Sequence, residues 1–141
     1  MCLTLTEEGK KWVEQVKKKN IITAYKVVSY LSETRTLMSP ITCCMKWKLN
    51  KVNVDPKGIK RVRSYTAKQT NSLIDGLHLC RTREEARKLK RLYQERMSSW
   101  YVHQYKILKC IVNTKDILGA GRNGPYKSLV VTKCTPIEIV R

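Results

Sequence analysis

Carboxylates are scarce in this chain. Eleven Asp and Glu stand against twenty-nine Lys and Arg in 141 residues, for a formal net charge of +18. Metal-dependent nuclease chemistry gathers two or three acids at one metal. Glu7-Glu8 and Glu84-Glu85 are assigned to helix starts, which leaves Asp55, Asp75, Asp116 and Glu138 among a scattered remainder. Histidine is nearly as rare. His78 and His103 stand at no spacing to a Cys, Ser or carboxylate that makes a nucleophile and its base. Cys-x-x-Cys is missing, and the adjacent Cys43-Cys44 is a poor chelate because neighbouring strand residues face opposite ways. No metal site, cofactor or catalytic residue is therefore expected. Long apolar runs are also missing, and no window approaches the ~20 residues of a membrane-spanning helix. The first residues, Met1 to Glu8, lack the basic start and apolar stretch of an export signal, and no Asn-x-Ser/Thr occurs. The expectation is a soluble intracellular protein without a membrane partner. Phe is absent, so seven Tyr and three Trp supply the aromatic surface. The six cysteines, three of them within apolar stretches, read as reduced core thiols.

What the chain does have is positive charge of one sign. A small fold carrying +18 is destabilised by self-repulsion unless a polyanion meets it. Nucleic acid is the commonest such partner. The imbalance peaks between residues 34 and 74, where nine basic residues face one acid, Asp55. Within it, Lys57, Lys60, Arg61, Arg63 and Lys68 surround Tyr65. The stretch 50–71 is poor in apolar residues and reads as a long basic loop, with room for a short strand at Ile59 to Tyr65.

Thr6 as cap, Glu7-Glu8 in the first turn and Lys17 to Lys19 in the last predict a helix over 6–19 with a Trp12, Val13, Val16 stripe. Residues 21–31 and 41–49 predict strands, the second with Cys43, Met45, Trp47 and Leu49 on one face. Leu77 to Cys80 predicts a short buried strand. Thr82-Arg-Glu-Glu85 spells a capping box for a longer helix at about 82–98, with Ala86, Leu89, Leu92, Tyr93 and Met97 as its core face. Arg83, Arg87, Lys90 and Arg91 fall on one flank of that helix. Strands follow within 101–113, at 128–134 and at a final edge, Pro136 to Val140, with Asp116 to Gly124 as a turn-rich link. The tally is a single α+β domain over 1–141, with a mainly antiparallel sheet of five or six strands and two helices.

Gly119-Ala-Gly121-Arg-Asn-Gly124 matches a dinucleotide fingerprint only in letters. Pro125 and a strand follow it where a helix is required, so a hairpin turn at Asn123-Gly124 is the better reading. His78 lies between Leu77 and Leu79 and points away from their face, as a half-buried histidine with a hydrogen-bond partner. An enzyme reading, a small transferase or nuclease, would combine His78 with Tyr25 and Glu138.

Three segments carry a family resemblance: Ala24-Tyr-Lys-Val-Val28, then Gly76-Leu-His-Leu-Cys-Arg-Thr-Arg-Glu-Glu-Ala86, then Ile107-Leu-Lys-Cys-Ile-Val112 followed by Asp116-Ile117. In this order the chain resembles small single-domain accessory proteins of bacteriophages and large viruses. The basic stretch 50–71 has no counterpart in that pattern. The resemblance implies an accessory protein that acts in the host cytoplasm on nucleic acid or blocks a host defence complex.

Two functions remain in view beside the enzyme. In the first, Lys57, Lys60, Arg61, Arg63, Lys68, Arg83, Arg87, Lys90 and Arg91 contact phosphates of RNA or single strands, and Tyr65, with Trp47, Trp100 and Tyr101, offers stacking surface. In the second, the cationic face occupies an acidic or nucleic-acid-binding surface of a host protein. A solvated charged face that merely keeps the protein soluble is the plain alternative to both.

Overall fold

A computed structural model describes residues 3–40, 45–54, 63–65, 70–73, 76–96 and 104–141, with the backbone alone for 63–65 and 70–73. In chain order the elements are β1 (Leu3–Leu5), α1 (Glu7–Val16), β2 (Ile21–Leu31), β3 (Thr36–Met38), β4 (Lys46–Trp47) and β5 (Asn53–Val54). There follow β6 (Arg63–Tyr65), β7 (Thr70–Leu73), β8 (Leu77–Cys80) and α2 (Arg83–Arg96). The chain finishes with β9 (Gln104–Asn113), a 3-10 turn at Thr114–Asp116, β10 (Ile117–Asn123), β11 (Tyr126–Val131) and β12 (Lys133–Val140). The strands form one sheet in the order β5-β12-β9-β2-β8-β11-β10-β1-β7-β6, with β3 and β4 added beside β2. Every pairing among the described residues is antiparallel. The fold is α+β, as the residue pattern predicts, but the described residues form twelve strands where five or six are expected.

The long pair β2–β9 is the spine, in register from Ile21–Asn113 to Tyr30–Gln104. Its residues alternate between two cores. Ala24, Val28, Leu108, Cys110 and Val112 face an inner core that the sheet curls around as a half-barrel, with Trp12, Val13 and Val16 of α1 packed against it. Val27, Tyr105 and Ile107 face an outer core closed by Ala86, Leu89 and Tyr93 of α2. Burial on both faces is why these segments read as nearly continuous apolar runs.

Helix α1 is capped by Thr6, whose hydroxyl accepts from the Gly9 amide at 3.0 Å. It ends earlier than predicted, at Val16. Lys17 is the cap residue, and Lys18 and Lys19 follow it instead of forming the last turn. The helix lies so close on β10 that a Cβ on Gly9 would fall 2.1 Å from the Ala120 carbonyl oxygen. Arg81, inward-facing at the end of β8, ties the same corner together. Its Nη1 donates to both carboxylate oxygens of Glu8 at 2.6 and 2.7 Å. Its Nε donates to the Ser128 carbonyl and its Nη2 to the Gly121 carbonyl. The guanidinium also lies 4.9 Å from the centre of the Trp12 ring.

Four predicted boundaries differ in the structure. The stretch 50–71, of which 55–62 and 66–69 lie outside the described residues, holds β5, the expected short strand as β6, and the first residues of β7. Asn53 explains the first of these: its side-chain oxygen accepts from the Lys48 amide and its amide group donates to the Lys48 and Lys51 carbonyls, folding 48–53 back so that β5 can pair with β12. The turn-rich link 116–124 is largely strand β10. Gly121 passes Thr4 so closely that a Cβ there would meet its carbonyl oxygen at 1.8 Å, so glycine serves backbone contact in a strand rather than a turn. The hairpin turn lies one residue later than predicted: Asn123 pairs with Tyr126 around Gly124-Pro125, and Gly124 holds a φ of +59°. The final strand is longer, Lys133–Val140; β5 pairs with its first two residues, while Pro136 to Val140 pair with β9 alone among the described residues and form the expected edge. Of the predicted strand 41–49, Met45 and Trp47 are buried and Leu49 packs on the same core, while Cys43 lies outside the described residues.

Candidate nucleic-acid interface

Helix α2 begins where Thr82 accepts from the Glu85 amide at 3.2 Å. The expected reciprocal bond is replaced: the Glu85 carboxylate accepts from the Lys127 amide at 3.3 Å and so ties the helix to β11. Inside, Tyr93 meets Tyr105 with ring centres 5.6 Å apart. With Ala86, Leu89 and Tyr93 inward, the 3.6-residue period turns Arg83, Arg87 and Lys90 toward one flank and Lys88 and Arg91 outward. The flank faces the end of β12. There the Nε atoms of Arg83 and Arg87 both donate to the main-chain oxygen of Arg141, at 2.6 and 3.1 Å.

The helix carries Arg83, Arg87, Lys88, Lys90, Arg91 and Arg96 against Glu84, Glu85 and Glu95. Among the described residues the ion pairs are Arg81–Glu8, Lys127–Glu8 and Lys109–Glu138. None involves α2, so its six cations have no Asp or Glu carboxylate within 4.0 Å among those residues.

The other predicted contacts fall elsewhere. Arg63 and Tyr65 stand on β6, at the opposite end of the strand order from β5 and β12. Lys57, Lys60, Arg61, Lys68, Trp100, Tyr101 and His103 lie outside the described residues. Trp47 is no stacking platform. It is 4% exposed, and its Nε1 donates to the Ser39 hydroxyl at 2.9 Å.

Sequence reasoning missed Lys26. It projects from β2 toward the inner core between Ala24 and Val28. Strands β2 and β8 pair at Tyr25–Cys80 and then part, and the Lys26 ammonium bridges the gap by donating to the His78 carbonyl at 3.0 Å. The same ammonium lies 5.5 Å from the Trp47 ring centre. Desolvation holds its pKa below that of an ordinary lysine. The only sequence signal was a cation at an inward position of an alternating strand. Where the strands part, a small recess opens beside α2, lined among others by Tyr25, His78, Cys80 and Tyr93. His78 and Tyr25 therefore share a site, but Glu138 does not line it and is paired with Lys109 at 3.6 Å.

Cys80, Cys110 and Cys134 are buried free thiols. Burial pushes Cys80 up to about 12, and Cys110 is pushed up by its hydrogen bond with Cys134 and by burial, so neither is a thiolate near neutrality. No group of three His, Cys, Asp or Glu among the described residues is placed to hold a metal ion. No helix among those residues is long and apolar enough to cross a membrane.

Comparison with protein-family models, curated proteins and solved structures gave no match.

Proposed function

We propose that this protein is a non-enzymatic nucleic-acid-binding protein, of viral accessory type, that grips phosphates through the basic flank of α2. The observation that carries the reading is the row of α2 cations without Asp or Glu partners among the described residues, in a chain whose formal charge is +18. Guanidinium and ammonium groups left without acids are the groups that release counterions from a phosphate backbone. The reading extends to Lys57, Lys60, Arg61, Arg63 and Lys68, which would lengthen the contact along the strand, with Tyr65 stacking on a base. RNA or single strands are favoured because no helix–turn–helix, finger or zipper stands among the described residues to enter a duplex groove.

The test is a salt titration of binding to single-stranded RNA and DNA and to duplex DNA, read by fluorescence anisotropy. Affinity should fall steeply with salt, and each phosphate contact removed by substituting Arg83, Arg87 or Arg91 with Ala should lower the log–log slope by ~0.7 on single strands. Salt-independent binding, or none at low salt, overturns the proposal.

A further inference from the structure

Helix α2 covers only part of the sheet's outer face, over Val27, Tyr105 and Ile107. Alternation along the strands carries that face on to Ile21 and Thr23 of β2 and to Ile111 and Asn113 of β9. Ile111 stands between Thr23 and Thr135 of β12, and Lys133 of β12 stands opposite Val54 of β5. Four neighbouring strands thus extend the face, ~14 Å across at the usual strand spacing. Its aliphatic side chains are open to water: Ile21 is 58% exposed, Val54 54% and Val52 63%. Lysines surround them. Thr114 donates through its amide to the Asn20 carbonyl and through its hydroxyl to the Lys19 carbonyl, which joins Lys115 to the run Lys17 to Lys19 that leads into Ile21. These four lysines and Lys133 are exposed, and none has an Asp or Glu carboxylate within 4.0 Å among the described residues. Glu138, on the same side of β12, is engaged by Lys109.

We propose that this open part of the outer face is the docking site for an amphipathic helix of a partner protein, apolar on one side and acidic along its flanks. The proposal is independent of the nucleic-acid reading above. The same face already accepts one helix, since Ala86, Leu89 and Tyr93 of α2 seat on the adjoining residues. A helix with its side chains is about 10 Å wide and fits the breadth that remains. Charge sets its character: lysines without acids favour Glu and Asp along its edges and steer its approach. A nucleic-acid strand would meet the lysines but leave Ile21, Val52 and Val54 in water, whereas an acidic amphipathic helix engages the cations and buries the aliphatic groups. A second copy of this chain would set +18 against +18.

The probe is a synthetic helical peptide of about 18 residues, with Leu at i, i+3, i+4 and i+7 spacing and Glu on either side of that stripe. Two controls accompany it: a peptide of the same composition with the stripe scrambled, and the striped peptide with Lys in place of Glu. Each is titrated by fluorescence anisotropy against wild type and the double variant Ile21→Ser/Val54→Ser, which keeps the net charge and is verified as folded by circular dichroism. Wild type should bind the striped Glu peptide about tenfold more tightly than either control. The variant should lose that advantage and match wild type on single-stranded RNA. Equal affinity for the striped and scrambled peptides, or for the Glu and Lys peptides, overturns the docking site, as does an advantage that survives in the variant. A wild-type dimer in sedimentation equilibrium that the variant abolishes also overturns it and gives the face to a second copy. A loss of RNA binding confined to the variant overturns it in favour of nucleic acid. The peptide titrations decide the docking site by themselves, so a wild type that binds no RNA strikes the α2 reading alone.

Discussion

Arg81 and Arg83 are separated by a single threonine, yet they belong to different regions of the molecule. Arg81 lies in the inner corner with a side chain 3% exposed, and is satisfied by the Glu8 carboxylate, two main-chain carbonyls and the face of Trp12. Arg83 lies on the outer flank, exposed, and shares the main-chain oxygen of Arg141 with Arg87. In the inner corner each guanidinium nitrogen has a structural partner, and the charge serves the fold. On the outer flank the charge meets no Asp or Glu carboxylate among the described residues. In a chain this poor in acids, a cation with a carboxylate partner is the exception and marks structure, whereas the ordinary unpaired cation on a flank is available to a ligand.

The contrast can be broken most forcefully at Arg81. Arg81→Met should cost about 3 kcal/mol, because two main-chain carbonyls lose their donor and α1 loses its tie to β8. A urea midpoint measured by Trp fluorescence will read this, and a loss below the error of the method would show that the inner corner is no more structural than the flank. A smaller effect is expected at Glu8, whose side chain is half in water. Glu8→Gln should cost about 1 kcal/mol near neutral pH. The bond from Arg81 holds the Glu8 carboxyl below its ordinary value of 4.5. A lowered folded-state pKa means that the stabilisation is fully present above that ordinary value and is lost as pH falls through the folded one. The gap between wild type and Glu8→Gln should therefore close on acidification below pH 4.5 and stay constant above it. The smallest effect belongs to the flank: Arg83→Ala with Arg87→Ala should change stability by no more than about 0.5 kcal/mol. A large loss there would mean that the contact with Arg141 is a structural tie.

The parts legible beforehand share a physical property: their signal is local. Strand β2 was read at its full extent because residues 21–31 are β-branched and aromatic and are buried on both faces. Both helix starts were legible because Thr6 and Thr82 cap within three residues of themselves. The capping box was only half right, since Glu85 found a partner on β11, forty-two residues away. Strand β5 was hidden because polar Asn53 gains its strand partner from β12. Gly121 of β10 read as part of a turn because its use, a close pass of β1, involves residues more than a hundred positions earlier. Trp47 was rightly set on the apolar face with Met45 and Leu49 but also offered as stacking surface, because nothing nearby announces the hydroxyl of Ser39 or the ammonium of Lys26. Of the candidate site, the α2 flank was readable from helical spacing, and the convergence of Arg83 with Arg87 on Arg141 was not.

Composition and short-range chemistry by themselves determined that this protein carries a large uncompensated positive charge, where its two helices begin, and which segments form the spine of the sheet. Each of these depends on residues within a turn or two of one another. Only the tertiary structure decided which cations meet an acid, which one enters the core, and which two share an oxygen. Those outcomes depend on register and packing between segments distant in the chain, and an ion pair exists only where folding brings its two halves within reach.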